Sequence, residues 1–148
     1  MEILQIIIIT LLATTAMTLF SYFVSWTFDK NYKEPVLLEF LMVAFKFEIP
    51  KQFKVIISWI LHYCIGLLFV VLFYLPIWLQ LKIYNVNIIS GLLFGCIIGF
   101  IGIMAWQFMF AISPKRPPTN RKGFLLQLFF AHIIFGLTAV LADGIISL

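Results

Sequence analysis

Four long apolar segments, Ile3 to Thr27, Val55 to Leu79, Val86 to Ile112 and Phe124 to Leu148, take up most of the 148 residues. Each is near or above the roughly 20 residues a helix needs to cross a bilayer core of about 30 Å. Composition agrees, with 64% of residues hydrophobic and 11% charged, where soluble domains hold roughly 45–50% and about 25%. The solvent for this fold is therefore lipid. In hydrocarbon every backbone amide must be paired, which leaves helices or a closed barrel. Barrel strands alternate polar and apolar over about ten residues, and these runs are far longer and do not alternate. The sequence predicts an all-α fold, an integral membrane four-helix bundle. The first span lacks a basic n-region and a small-residue cleavage site, so it is expected to remain in the mature chain. Three short connections leave room for one domain, residues 1–148.

Basic residues predict the orientation. The connection between spans one and two holds Lys30, Lys33, Lys46, Lys51 and Lys54, and that between three and four holds Lys115, Arg116, Arg121 and Lys122. The middle connection has Lys82 alone. By the positive-inside rule both basic connections face the cytoplasm, and both termini face the outer, periplasmic side. The net charge of +4 is thus a topology signal and an attraction to anionic headgroups. No aromatic-interleaved basic groove points to nucleic acid. Trp26, Trp59 and Trp106 fall toward inner ends and Trp78 at an outer end, as interfacial anchors do. Cys64 and Cys96 lack CxxC spacing and read as small hydrophobes.

Residues 35–47 are apolar, too short to span, and open on Pro35, which suits a first helical turn. They are expected to form an interfacial amphipathic helix on the inner leaflet, with a re-entrant segment as the alternative. Pro114, Pro117 and Pro118 stop the third helix and keep the next connection extended.

Spans two and four share a pattern: His62-Tyr-Cys-Ile-Gly66-Leu67 and His132-Ile-Ile-Phe-Gly136-Leu137, each with an aromatic residue three positions earlier, Trp59 and Phe129. Each copy lies in the second helix of a two-helix hairpin with its connection inside. A duplicated hairpin would relate the halves by a pseudo-twofold axis along the membrane normal. At 1.5 Å per residue, His62 lies about 10 Å and His132 about 12 Å from the inner helix ends, so the imidazoles share a level. Gly66 and Gly136, four residues on, share a face with them. An ionisable side chain at membrane depth is costly and tends to mark a site.

Two stripes are candidate walls for such a site. Thr10, Thr14, Thr18, Ser21 and Ser25 lie along one face of span one, and Gly91, Gly95, Gly99 and Gly102 form a small-residue ridge in span three. Both have packing explanations, since Thr and Ser bond their own helix carbonyls and GxxxG brings helices together. Asp143 projects onto the His132 face about 16 Å farther along. It is a proton-path candidate, unless it simply reaches water at the outer interface.

Three functions remain open for the histidines. They can be neutral interhelical hydrogen-bonding groups in a structural or accessory bundle, worth about 1 kcal/mol. They can be axial ligands of a haem b iron, with Gly66 and Gly136 giving the macrocycle room, or flank a quinone. They can belong to a proton or ion pathway with Asp143. Signatures of hydrolysis, phosphoryl transfer and zinc catalysis are missing, so enzymatic activity is not expected. The lipid bilayer is the expected partner, with self-association or other membrane subunits open because a GxxxG ridge serves either contact.

The run Ala13-Thr-Thr-Ala-Met-Thr18, a mid-membrane histidine in the second helix, a glycine-rich third helix ending in Trp106, and His132-Ile-Ile-Phe-Gly136 together resemble uncharacterised four-helix bacterial inner-membrane proteins. The resemblance implies a bacterial inner membrane and no particular activity.

Overall fold

The computed structural model describes residues 3–81 and 85–146. Met1, Glu2, the lone basic residue Lys82 of the middle connection, and the end of the fourth span at Ser147 and Leu148 lie outside them. The chain forms α1 (Ile3–Thr27), α2 (Glu34–Ala44), α3 (Lys51–Trp78), α4 (Ile88–Ile112) and α5 (Arg121–Ile146). All but α2 are long and apolar enough to cross a membrane, which makes this a small integral membrane protein built as an all-helical bundle. Large apolar side chains such as Ile3, Leu19, Phe100, Met104 and Phe108 are more than half exposed. They form the surface that meets acyl chains.

Local chemistry sets the helix ends. Lys51 and Lys54 do not delay α3, because a charged side chain is a good helix former and can extend away from the first turn. The helix therefore begins directly after Pro50, earlier than the apolar run starting at Val55. By the same logic α5 begins at Arg121, before Phe124. At the start of α4, the Asn87 side chain accepts from the Ser90 N–H and the Ser90 hydroxyl accepts from the Asn87 N–H, both at 2.9 Å. This reciprocal cap satisfies two orphan donors. Helices α1, α2 and α3 close alike, with Asp29, Lys46 and Gln80 in the left-handed region at φ 49°, 56° and 55°. The next amide in each case reaches back five residues, Lys30 to Ser25, Phe47 to Met42 and Leu81 to Pro76, as in a Schellman closure.

The helices run up and down. Thr18 meets His62 and Thr14 faces Gly66, so α1 and α3 are antiparallel. Gln5 meets Asp143 and Ser21 meets Gln127, so α1 and α5 are antiparallel too. Gly91 faces Gly136 and Gly102 faces His132, which sets α4 against α5. Half of the most apolar window of α5 is buried, against 28–33% for the other three spans. Helix α5 is thus the hub, packed extensively on α4 and α1, while α3 rests mainly on α1 and α2.

The glycine ridge is the α4–α5 seam. A Cβ on Gly95 would lie 2.7 Å from the His132 carbonyl oxygen and from the Ile133 Cα, and one on Gly91 would lie 2.7 Å from the Gly136 carbonyl oxygen. Only glycine allows that approach. Around the seam, Ile9, Val70, Phe73, Ile98, Phe135 and Ala139 form one core cluster. A second, at the α2 end, joins Tyr32, Leu37 and Leu41 to Trp106, Phe110, Phe124 and Leu128. Trp106 departs from the expected interfacial anchor. It is 7% exposed and packs edge-on against Phe124 at 5.0 Å, because α2 covers it. Helix α2 buries Glu34, Pro35, Leu37, Leu41, Met42 and Ala44, so one whole face is seated on the bundle. Every basic residue described lies at that end, on the connections or first helical turns around α2.

Candidate functional site

Both histidines are 5% exposed, and both line one cavity of about 160 Å³ at the α2 end. Its walls take Glu34 and Leu38 from α2, His62 and Phe69 from α3, Gly102 and Trp106 from α4, with His132 from α5 and Met17 from α1. The position of each polar group follows from the helix that carries it.

His62 is held across the α1–α3 contact, its Nε2 2.9 Å from the Thr18 hydroxyl. That hydroxyl lies 2.7 Å from the Thr14 carbonyl oxygen, which can only accept. The single Thr18 proton therefore goes to Thr14, and the Thr18 oxygen accepts from His62 Nε2–H. This leaves His62 Nδ1 as an acceptor. Trp59 and Tyr63 present their rings near-perpendicular to the imidazole at 6.3 and 6.0 Å. His132 has the opposite tautomer. Its Nδ1 lies 2.8 Å from the Leu128 carbonyl oxygen, so Nδ1 carries the proton and Nε2 is left as an acceptor. The ring sits on Gly102, where a Cβ would approach His132 Cε1 to 3.0 Å, and meets Phe69 at 5.6 Å.

Glu34, which sequence reasoning did not single out, completes the arrangement. It is 3% exposed. Its Oε1 accepts from the Ser21 hydroxyl at 2.7 Å and from Gln127 Nε2 at 3.4 Å, and Gln127 Nε2 also donates to Ser21. Its Oε2 is buried with no hydrogen-bond partner, and so is Gln127 Oε1. Burial pushes the Glu34 carboxyl up to about 7, against the opposing pull of hydrogen bonds from Ser21, its own backbone and Gln127. In the sequence Glu34 reads as one more charge beside Lys33. The usable signal was Gln127, an amide inside an apolar span and five residues before His132.

The two glycines do different work. Gly66 borders the cavity and also makes room for α1, since a Cβ there would lie 2.1 Å from Thr14 Oγ1. Gly136 lies away from the cavity, pressed on the α4 backbone at Gly91 and Gly95. In each hairpin the glycine thus faces the first helix of that hairpin. The hydroxyl stripe is buried from Thr10 to Ser25. Thr10 and Thr18 donate to carbonyls one turn back, Ser21 directs its one proton to Glu34 at 2.7 Å rather than to the Met17 carbonyl at 3.1 Å, and Ser25 accepts from the Tyr32 amide at 3.0 Å. Asp143, half-buried at the opposite end of the bundle, accepts from Gln5 Nε2 at 2.9 Å. It has a partner on α1 and does not line the cavity. Cys64 lies exposed on α3. Among the described residues no group of three or more His, Cys, Asp or Glu side chains could hold a metal ion.

Compared with known proteins, no family model matches this chain, no curated protein matches its sequence and no solved structure matches its fold. Function must therefore be argued from the cavity.

Proposed function

We propose that this protein is a proton-pathway component of a bacterial inner membrane, with both termini on the outer side and a proton-binding site made by Glu34, His62 and His132. One observation carries it: a buried carboxyl with an unpartnered oxygen lines the same small cavity as two imidazoles, each with one nitrogen left to accept. Buried polar atoms without partners call for a water, an ion or a functional role. A carboxyl held near neutrality by burial exchanges its proton in the range where a membrane pathway works. The two histidines lining the same cavity offer lone pairs to a proton carried by water, and a volume of about 160 Å³ is ample for that water. The basic collar around α2 supports a cytoplasmic position for this site, by the positive-inside rule.

Haem is supported less well. The cavity is close to the size of one known to hold benzene, about 150 Å³, and His62 Nε2 is already engaged by Thr18. A macrocycle would need α3 to part from α1 and α5. The structural reading keeps one specific support, the His62–Thr18 bond between α3 and α1. A pH-gradient assay in proteoliposomes separates the two. With an internal pH dye and an imposed potassium diffusion potential, the wild type should dissipate the gradient faster than protein-free vesicles, and Glu34→Gln and His132→Ala should slow it. Wild-type vesicles no leakier than protein-free ones would leave only a structural bundle.

A further inference from the structure

The Glu34 cavity is not closed to the bilayer. Its lining includes Ile65 on α3 and Ile101 on α4, which are 43% and 52% exposed on the apolar outer surface. The extensive helix contacts are α4 on α5, α1 on α5, α1 on α3 and α2 on α3, with none of that extent between α3 and α4. These two helices are bridged away from the α2 end, where Phe73 and Phe94 meet at 5.0 Å. Below that bridge the lining reaches exposed positions on both helices, Ile65 on α3 with Ile101 and Ala105 on α4, so the α3–α4 boundary is the lipid-facing side of the cavity, a shallow lateral fissure.

The hydrogen-bonding positions left open on the residues lining the cavity are His132 Nε2, His62 Nδ1 and, once its proton has left, Glu34 Oε2, all of them acceptors. Nothing lining the cavity offers a free charged donor. Glu34 interacts with Ser21 and Tyr22 on α1 and Gln127 on α5, His62 on α3 and His132 on α5 line the same cavity, and α4 contributes no ionisable residue to it. Lys33, the neighbour in sequence, holds its ammonium 4.8 Å above the Tyr22 ring instead. Phe69 and Trp106 are the aromatic residues of the lining besides the two histidines, and aromatic rings attract organic cations. An acid that is buried, short of donors and reached through hydrocarbon suits a guest that brings N–H donors and positive charge on an apolar body.

From this arrangement we infer that the cavity binds the head of a lipophilic primary ammonium compound, which enters sideways from the bilayer between α3 and α4. The inference rests on the proton-binding role of Glu34 proposed above and names what exchanges with the proton. The protonated carboxyl and the incoming R–NH3+ become a carboxylate–ammonium pair, and the displaced proton leaves to water on the α2 side. Charge and atoms balance without a further reactant.

Three probes of one shape decide it: benzylammonium, benzyltrimethylammonium, which has the charge and no N–H, and benzyl alcohol, which has a donor and no charge. Calorimetric titration into the whole protein in zwitterionic nanodiscs, corrected with empty discs, should show saturable binding of benzylammonium alone. Glu34→Gln should weaken it by roughly 30-fold or more, as expected for truncating one side of a buried charge pair. Ala105→Phe, at the exposed mouth of the fissure, should also block it while leaving Glu34 in place. Equal affinity for the trimethyl probe, or unchanged binding in both variants, would overturn the inference. So would absence of binding in a protein that still conducts protons, and the proton-binding role would then survive. Binding without proton flux would instead retain the ammonium site and remove the pathway.

Discussion

The α4–α5 seam can be tested at one carbon atom. A Cβ added at Gly136 would lie 2.2 Å from the Gly91 carbonyl oxygen, 3.0 Å from the Gly95 nitrogen and 3.1 Å from the Gly95 Cα. Ordinary contact begins at 3.4 Å, so the worst approach is short by 1.2 Å (3.4 less 2.2). The obstructing atoms belong to the backbone of a helix and cannot rotate aside, so α4 and α5 must separate as units. That separation also loosens Gly95 from His132 and Gly102 from the His132 ring, which share the seam. Overpacking of this kind costs about 1–3 kcal/mol, of which Ala recovers up to about 1 kcal/mol through its better helix propensity. Gly136→Ala should therefore lose a net of up to ~2 kcal/mol and lie about 1–3 kcal/mol below Gly144→Ala, which gains the same propensity without the clash, and Gly136→Val should lose more. Gly144→Ala is the matched control on the same helix, because a Cβ there meets nothing within 4 Å. It should be neutral or slightly stabilising. Both can be measured by titrating the detergent-solubilised protein with sodium dodecyl sulfate and following tryptophan fluorescence and helicity. Equal stability of Gly136→Ala and Gly144→Ala would refute this account of the seam.

Three further outcomes follow from single contacts. Thr18→Val removes the acceptor for His62 Nε2–H and should cost about 1 kcal/mol in the same titration, whereas Thr18→Ser keeps the oxygen and should cost little. Asp143→Asn retains an oxygen that accepts from Gln5 and should match the wild type in stability, while Asp143→Ala should lose about 0.5–1 kcal/mol. The Glu34 carboxyl sits at about 7 in the fold against an ordinary 4.5, so the folded state holds its proton more tightly than the unfolded chain. The contribution of Glu34 to stability should be greatest below about pH 4.5 and be lost as pH rises through 7, by about 3 kcal/mol. The stability difference between wild type and Glu34→Gln should carry that pH dependence, and a difference constant from pH 4.5 to 8 would refute the assignment to Glu34.

The four spans were legible because apolar length dominates everything else in a bilayer, and α1 and α4 begin and end within two residues of the runs that announced them. Helices α3 and α5 start three to four residues early because Lys51, Lys54, Arg121 and Lys122 interrupt hydropathy without interrupting a helix. The burial of Trp106 was not legible, since its exposure depends on where α2 is seated, and nothing in residues 35–44 states which helices they will cover. His62 and His132 announced themselves as rare ionisable groups in apolar runs. Glu34 did not, because it lies in a charged connection and becomes interior only when Ser21 and Gln127 close on it from helices 13 and 93 residues away. Sequence shows which polar residues are forced into lipid by their own span. It does not show which connection residue will be carried in by a neighbour.

That difference bears on what the cavity is for. If the polar cluster served only to seat α2, an amide would do the work better than an acid. Gln at position 34 could accept from Ser21 and Gln127 through its carbonyl oxygen, as Glu34 Oε1 does. It could also offer two N–H donors where Oε2 now has no partner, and its burial would carry no ionisation cost. Burying an acid without a matching base is a standing destabilisation, here about 3 kcal/mol above neutral pH by the proton linkage. Glu34→Gln should accordingly make the bundle more stable at pH 8 while removing its proton exchange, the opposition of stability and activity expected where a strained group is the working one. A scaffold differs in the second half alone. There, Glu34→Gln would raise stability at pH 8 by the same proton linkage and leave every transport readout unchanged, so it is the transport measurement, made on a variant shown to be folded, that divides a structural α2 anchor from a proton-binding carboxyl.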